Sequence, residues 1–165
     1  TFNILQLQFL PEERAITIAR AAIAYGDLKN YHEQKAIFDI DRFLSIEGDT
    51  GPYLLNTYAR AQSILAKVKK EKKISQFPNI SDKEKQLVIH LTKFSEVVNS
   101  AYHSFAPNLI ANYAFQLAQS FNEFYHSHQV IGSPEEAFRI QLVTASSQVL
   151  KNALHLLGIS VLEKM

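Results

Sequence analysis

Gly48-Asp49-Thr50-Gly51-Pro52-Tyr53-Leu54-Leu55-Asn56-Thr57-Tyr58-Ala59-Arg60 decides the fold of this 165-residue chain. Thr50 is a good N-cap, and Pro52 suits a first helical turn, where its missing N–H has no partner to lose. Nothing breaks a helix between Tyr53 and the lysine run Lys67–Lys73, so the pattern predicts a helix from Gly51 to about Lys72. At 100° per residue this helix has two faces. Leu54, Tyr58, Ala61, Leu65 and Val68 recur at steps of 4, 3, 4 and 3, the spacing of a buried stripe. Tyr53, Asn56, Thr57 and Arg60 fall on a different face, at i, i+3, i+4 and i+7. Packing gives no reason for that second stripe. An aromatic ring, an amide, a hydroxyl and a guanidinium on one face suit stacking on a base and pairing with base edges or phosphate.

On the N-terminal side, residues 1–10 show no clear period and read as a lead-in, with the helical domain spanning 11–165. Pro11-Glu12-Glu13 opens a helix whose stripe is Ala15, Ile16, Ala19, Ala22 and Ile23, and Gly26 is expected to stop it. Asp27 to Asp41 is irregular and reads as a long surface loop closing at Phe38-Asp39, followed by a short helix from about Asp41 to Ile46 that buries Phe43 and Leu44. On the C-terminal side, Ser81-Asp82-Lys83-Glu84 is a capping box that starts a helix running to about Ser104. Pro107 opens the next, to about His128, with Ile110, Ala114, Leu117, Phe121 and Phe124 inside. Ser133-Pro134-Glu135-Glu136 supplies an N-cap, a proline at N1 and an acid at N3. The last helix carries Ile140, Val143, Leu150, Leu154 and Leu157 beside Leu142, Ala145, Val149 and Leu156, and ends at Gly158. No segment alternates like a strand. The expected fold is all-α, a helical bundle.

Composition limits what such a bundle can do. Hydrophobic residues at 47% and charged residues at 20% describe an ordinary globule. No cysteine is present, which excludes disulfides and thiolate chemistry and fits a reducing, cytoplasmic setting. No apolar run approaches the ~20 residues of a membrane span. A net charge of +1 means that any RNA site is a local patch. Lys67, Lys69, Lys70, Lys72 and Lys73 favour the helix macrodipole as a solvated end, with phosphate contact as the rival reading. Chemistry is poorly represented. His126 and His128 are two apart and point away from each other on a helix, so they make poor joint metal ligands. His90 reads as a satisfied residue at the core edge, and Asp39 with Asp41 as capping groups rather than an acid pair. There is no Gly-rich phosphate loop, nucleophile elbow or zinc motif. The chain is therefore expected to hold no catalytic, cofactor-binding or metal site.

Gly48–Leu54, followed by Tyr58-Ala59-Arg60-Ala61-Gln62-Ser63-Ile64-Leu65, resembles the signature helix of the C-terminal anticodon-binding (DALR-type) domain of arginyl-tRNA synthetases. Pro107–Tyr113, with Leu117-Ala118-Gln119 and Phe124-Tyr125, resembles the next family block. Val149–Leu154, with Leu157-Gly158-Ile159 and Glu163-Lys164-Met165, resembles the closing block. The likeness runs from about Ala15 to Met165 in order. It implies a bundle of the class I synthetase anticodon-binding type that grips the anticodon stem-loop of arginine tRNA. Thr1 in place of an initiating methionine fits a piece of a longer chain, an arginine–tRNA ligase whose catalytic domain, using ATP and Mg2+, belongs to the same polypeptide. The two nucleotide signatures of class I synthetases are missing here, so the chain alone is expected to be inactive and monomeric. Carried over by position, the family's anticodon contacts are Tyr53, Asn56, Arg60 and Met165, with Thr57, Asn30, Lys35, Tyr125 and His128 as secondary candidates. Asn56 stands where many of the family have tyrosine, and it can bond a base edge but cannot stack.

Two other readings use the same residues. A helical interaction domain would turn the polar stripe toward a protein, and a stand-alone RNA-binding protein would never meet a catalytic core. Without the family resemblance, Tyr53 capping the bundle and Arg60 pairing with a surface acid would account for the stripe.

Overall fold

Around Thr50 the chain turns as its side chains dictate. Its hydroxyl accepts the Tyr53 backbone N–H at 3.2 Å and starts a helix with Pro52 in the first turn. A computed structural model of the chain describes residues 9–31, 33, 39–68 and 79–165. Its elements are α1 (Glu12–Leu28), α2 (Ile40–Phe43), α3 (Gly51–Leu65), α4 (Asp82–Thr92), α5 (Phe94–Ser104), α6 (Pro107–Ser127) and α7 (Glu136–Leu156). No strand occurs among the described residues, so the all-α expectation holds. None of the described helices is long and apolar enough to cross a membrane.

α3 and α6 form the middle of the bundle. α3 packs against α1, α6 and α7, while α6 also meets α1, α4, α5 and α7. Ile110, Ala114, Leu117, Phe121 and Phe124 of α6 are all buried, as their spacing predicts. Each side chain of that size contributes roughly 1.5–3 kcal/mol when fully removed from water. Gly51 sets how closely α3 approaches α1, because a Cβ there would overlap the Ala21 carbonyl. At the same corner the Tyr25 hydroxyl lies 2.6 Å from Asp49 Oδ1 and 3.1 Å from the Ala111 carbonyl. Burial first, and the Asp49 carboxylate second, push the ionisation of that phenol far up. Lys29 donates to the Asp49 carbonyl at 2.7 Å and pairs with its carboxylate at 3.1 Å. α1, the turn before α3 and α6 are thereby tied at one point.

Several expectations need correction. α3 ends at Leu65, not near Lys72, with Ala66 and Lys67 in a turn; Lys69, Lys70, Lys72 and Lys73 lie outside the described residues. In α1 the buried residues are Ile18, Ala21, Ala22, Tyr25 and Gly26, whereas Ile16 and Ile23 are 42% and 49% exposed. The small Ala21 and Ala22 are inside because α3 comes too close there for a branched side chain. Gly26 does not stop α1: the helix runs on to Leu28, and the glycine accommodates the Phe43 ring against the helix backbone. α2 is one turn that ends at Phe43 rather than Ile46, although Phe43 and Leu44 are buried and Asp39 caps it through the Arg42 N–H at 3.1 Å. The segment to Ser104 is two helices meeting at Lys93 rather than one. Ser133 does not cap α7: its hydroxyl donates to the Val130 carbonyl at 3.0 Å and the helix begins at Glu136. Ala145 and Leu156 are exposed, while Ser146 and Ser147, turned away from that face, are buried.

Two termini follow their sequence signals closely. Ser81 and Glu84 form the reciprocal capping box. α7 closes in a Schellman motif, with Gly158 at φ +73°, its N–H donating to the His155 carbonyl and that of Ile159 to the Leu154 carbonyl, both at 2.9 Å. Buried Ile159 then brings the tail back so that Val161, Leu162 and Met165 pack on the core.

Behind the capping box lies an ionic centre. The Glu84 side chain has no exposed surface; it accepts from Arg139 Nε at 2.8 Å and from the Ser81 N–H at 2.8 Å. His128 Nε2 lies 3.9 Å from the same carboxylate. Burial raises the Glu84 pKa, but hydrogen bonds from Arg139 and Ser81 outweigh it and hold the carboxyl below its ordinary value. Through Glu84, Arg139 locks α7 to α4, and it also reaches Glu135 at 3.4 Å and the Gln129 carbonyl at 2.9 Å.

Candidate nucleic-acid interface

The polar stripe of α3 does have a packing partner, contrary to the sequence expectation. Asn122 of α6 is 8% exposed and points its amide at three of the stripe's side chains. Its Nδ2 donates to the Tyr53 hydroxyl at 2.9 Å and to Thr57 Oγ1 at 3.0 Å, and its Oδ1 accepts from the Arg60 guanidinium. Thr57 is buried and donates its own proton to the Tyr53 carbonyl at 2.9 Å. The Tyr53 ring meets Phe115 edge-on, with centroids 5.7 Å apart. One amide therefore fixes the ring and the cation in a common frame.

Arg60 has a second restraint. Its guanidinium carbon lies 5.0 Å from the centroid of the Tyr125 ring, within cation–π range. A guanidinium carries five N–H donors and only one of these contacts consumes a donor, so the group keeps hydrogen-bonding capacity for a ligand. It borders a hollow of about 320 Å³ lined by Ile46, Glu47, Tyr53, Asn56, Thr57, Arg60, Asn122 and His126. That volume sits at the low end of the ~300–1,000 Å³ typical of small-ligand sites. Asn56 makes no side-chain hydrogen bond to other described residues. Its amide is available as both donor and acceptor.

Tyr53, Asn56, Thr57 and Arg60 share the hollow, with Tyr125 behind Arg60. Thr57 is spent on internal hydrogen bonds. Asn30 donates to the Gly26 carbonyl at 2.7 Å and finishes α1. His128 stacks on Phe124 and faces Glu84, so it belongs to the ionic centre, and its neighbour His126 borders the hollow instead. Lys35 lies outside the described residues. Met165 is half-buried against the core and does not line the hollow. The tail just before it, Ser160–Lys164, borders a wider groove against Pro11 and the first half of α1, as far as Arg20.

His90 is a satisfied core-edge residue, with Nδ1 2.6 Å from the Ser120 hydroxyl and its carbonyl accepting from Tyr113 at 3.0 Å. Burial, then the nearby Lys93, lower its pKa against a smaller opposing pull from Glu123. Burial raises the Tyr113 phenol to about 12.

Sequence reasoning missed Asn122, Glu47 and His126 as parts of this surface. Asn122 was the findable one. It lies four residues after Ala118, on the buried side of a helix, where an amide must find partners.

Residues 54–165 match the DALR anticodon binding domain. An arginine–tRNA ligase of Alkaliphilus oremlandii is 40% identical over 162 residues, covering 93% of this chain and 27% of that protein. One from Agathobacter rectalis is 37% identical over 163 residues with the same coverage. The arginyl-tRNA synthetase of Thermus thermophilus matches in structure with a TM-score of 0.88 at 32% identity, covering 96% of this chain and 29% of that one. That of Plasmodium falciparum matches at 0.83 and 26% identity, covering 93% and 28%. The chain thus spans a little over a quarter of the length of the curated relatives it matches. With its residues 54–165 matched and its all-α bundle shared, the chain belongs to the DALR anticodon-binding domain family.

Proposed function

We propose that this domain holds the anticodon stem-loop of arginine tRNA, as part of a cytoplasmic, monomeric arginine–tRNA ligase. The observation that carries this reading is Arg60, gripped by Asn122 and Tyr125 at the edge of a hollow with Tyr53 and Asn56 on its wall. The ring of Tyr53 is available to stack on an unpaired base. Asn56 and Arg60 offer donors to a base edge or phosphate. Because Asn122 fixes Tyr53 and Arg60 before RNA arrives, less side-chain freedom is lost on binding. Met165, at the end of the docked tail, is proposed as a further contact on the family resemblance alone.

Among the described residues no three His, Asp or Glu side chains cluster to hold a metal, and the sequence has no Gly-rich phosphate loop. Activation of arginine is assigned to the catalytic domain of the proposed ligase, and this domain contributes recognition.

Titration of the protein with an anticodon stem-loop of arginine tRNA tests the reading. Arg60→Ala is expected to weaken binding about ten- to hundredfold, as loss of a charged hydrogen bond would, measured at a temperature where the variant is fully folded because it also loses its bond to Asn122. Equal binding by Arg60→Ala and the unaltered protein would reject the site.

A further inference from the structure

The hollow beside Arg60 has a neighbour. A second hollow, also about 320 Å³, is lined by Tyr53, Lys83, Gln119, Asn122, Glu123, His126 and Ser127. Tyr53, Asn122 and His126 line both. Asn122 is buried at the base and Tyr53 is half-buried, so only His126 of these three is exposed. The group that borders both hollows and stands out into solvent is thus the His126 imidazole, in the last turn of α6.

The second hollow has its own chemistry. Glu123 supplies a carboxylate acceptor and Gln119 an amide, both exposed. Lys83 reaches across from the first turn of α4 to donate to Ser127 Oγ at 2.6 Å. A lysine in a helix's first turn opposes the macrodipole, so helix stability does not explain its position. A carboxylate repels phosphate but accepts from an exocyclic amine, and an amide pairs with the amine and ring nitrogen of adenine. An exposed aromatic ring that borders two polar hollows suits stacking between consecutive unpaired bases.

We propose that this second hollow takes the base next to the one bound beside Arg60, with the His126 ring between them, and that it selects a base carrying an exocyclic amine over uracil, which has none, through Glu123 and Gln119. This rests on the RNA-binding reading of the first hollow. The chain then covers two adjacent loop nucleotides rather than one.

The test uses anticodon stem-loops of arginine tRNA with 2-aminopurine placed at each loop position in turn, together with loops in which each amine-bearing base is exchanged for uracil. The unaltered protein should change the fluorescence at two adjacent positions. His126→Ala should weaken binding about tenfold and diminish both signals, with an unchanged melting temperature because the ring is exposed. Glu123→Gln should narrow the preference for the amine-bearing base at one of the two positions while leaving the other unaffected. If Arg60→Ala weakens binding but His126→Ala and Glu123→Gln alter neither affinity nor base preference, the second hollow is overturned and the first reading stands. If the unaltered protein fails to bind any of the loops, both are overturned.

Discussion

Replacing Asn122 by alanine separates the frame of the site from the groups that would touch RNA. Asn122→Ala removes one hydrogen bond each to Tyr53 and Thr57, worth roughly 0.5–1.5 kcal/mol, and one to the Arg60 guanidinium, worth roughly 1.5–3. The partners are coupled, and Tyr53 and Arg60 are half-exposed and recover water, so the sum is an upper bound and about 2–4 kcal/mol is expected. Thr57 keeps its own bond to the Tyr53 carbonyl, so no buried proton is stranded. Urea denaturation at pH 7 reads the loss directly. At a temperature where the variant is fully folded, anticodon-arm affinity should fall as well, because Tyr53 and Arg60 have lost their common anchor. Leu54→Ala is the control: its side chain is fully buried, and it should lose about 2–5 kcal/mol of stability with affinity intact. Refutation would be an Asn122→Ala protein that matches Leu54→Ala in both assays, since the amide would then be ordinary core.

Other consequences follow from the packing and charge. Glu84→Gln should cost about 3 kcal/mol at pH 7 by leaving Arg139 without its carboxylate. Because the folded Glu84 pKa lies below the ordinary 4.5, its contribution is complete above that pH and is lost as pH falls through the lower folded value; Glu84→Gln should flatten this acid limb in pH-dependent denaturation. Gly51→Ala should destabilise by about 3 kcal/mol, since the added methyl meets backbone that cannot rotate away, and a melting temperature equal to that of the unaltered protein would refute the close α1–α3 approach. A chain ending at Lys164 should bind the anticodon arm more weakly while losing only the small stability of a half-buried side chain, and unchanged binding would remove Met165 from the site.

Helix starts and the long apolar stripes were legible because they depend on local chemistry. Thr50, the Ser81–Glu84 box and Gly158 each act on backbone groups within a few residues. α1 was misread for the opposite reason. Its sequence is apolar on several sides, and the face that turns inward is chosen by Gly51 docking on Ala21, a contact between distant segments. Ser133 and Pro134 carry a strong capping signal, yet the hydroxyl is satisfied by Val130. At the site, spacing brought Tyr53, Asn56, Thr57 and Arg60 to one face, but the amide that organises them comes from α6 and leaves no mark in the α3 sequence. Likewise His126 rather than His128 borders the hollow, because Glu84 and Phe124 turn His128 inward.

The central claim is that the face between α3 and α6 meets the anticodon loop. Photo-crosslinking from 4-thiouridine placed in the loop of arginine tRNA, followed by peptide mapping, tests it most directly. The account predicts crosslinks to Tyr53–Arg60 of α3 and Gln119–Ser127 of α6, lost on competition with unlabelled arginine tRNA. Crosslinks confined to the exposed Tyr102 and Phe105 at the far end of α5 would contradict it.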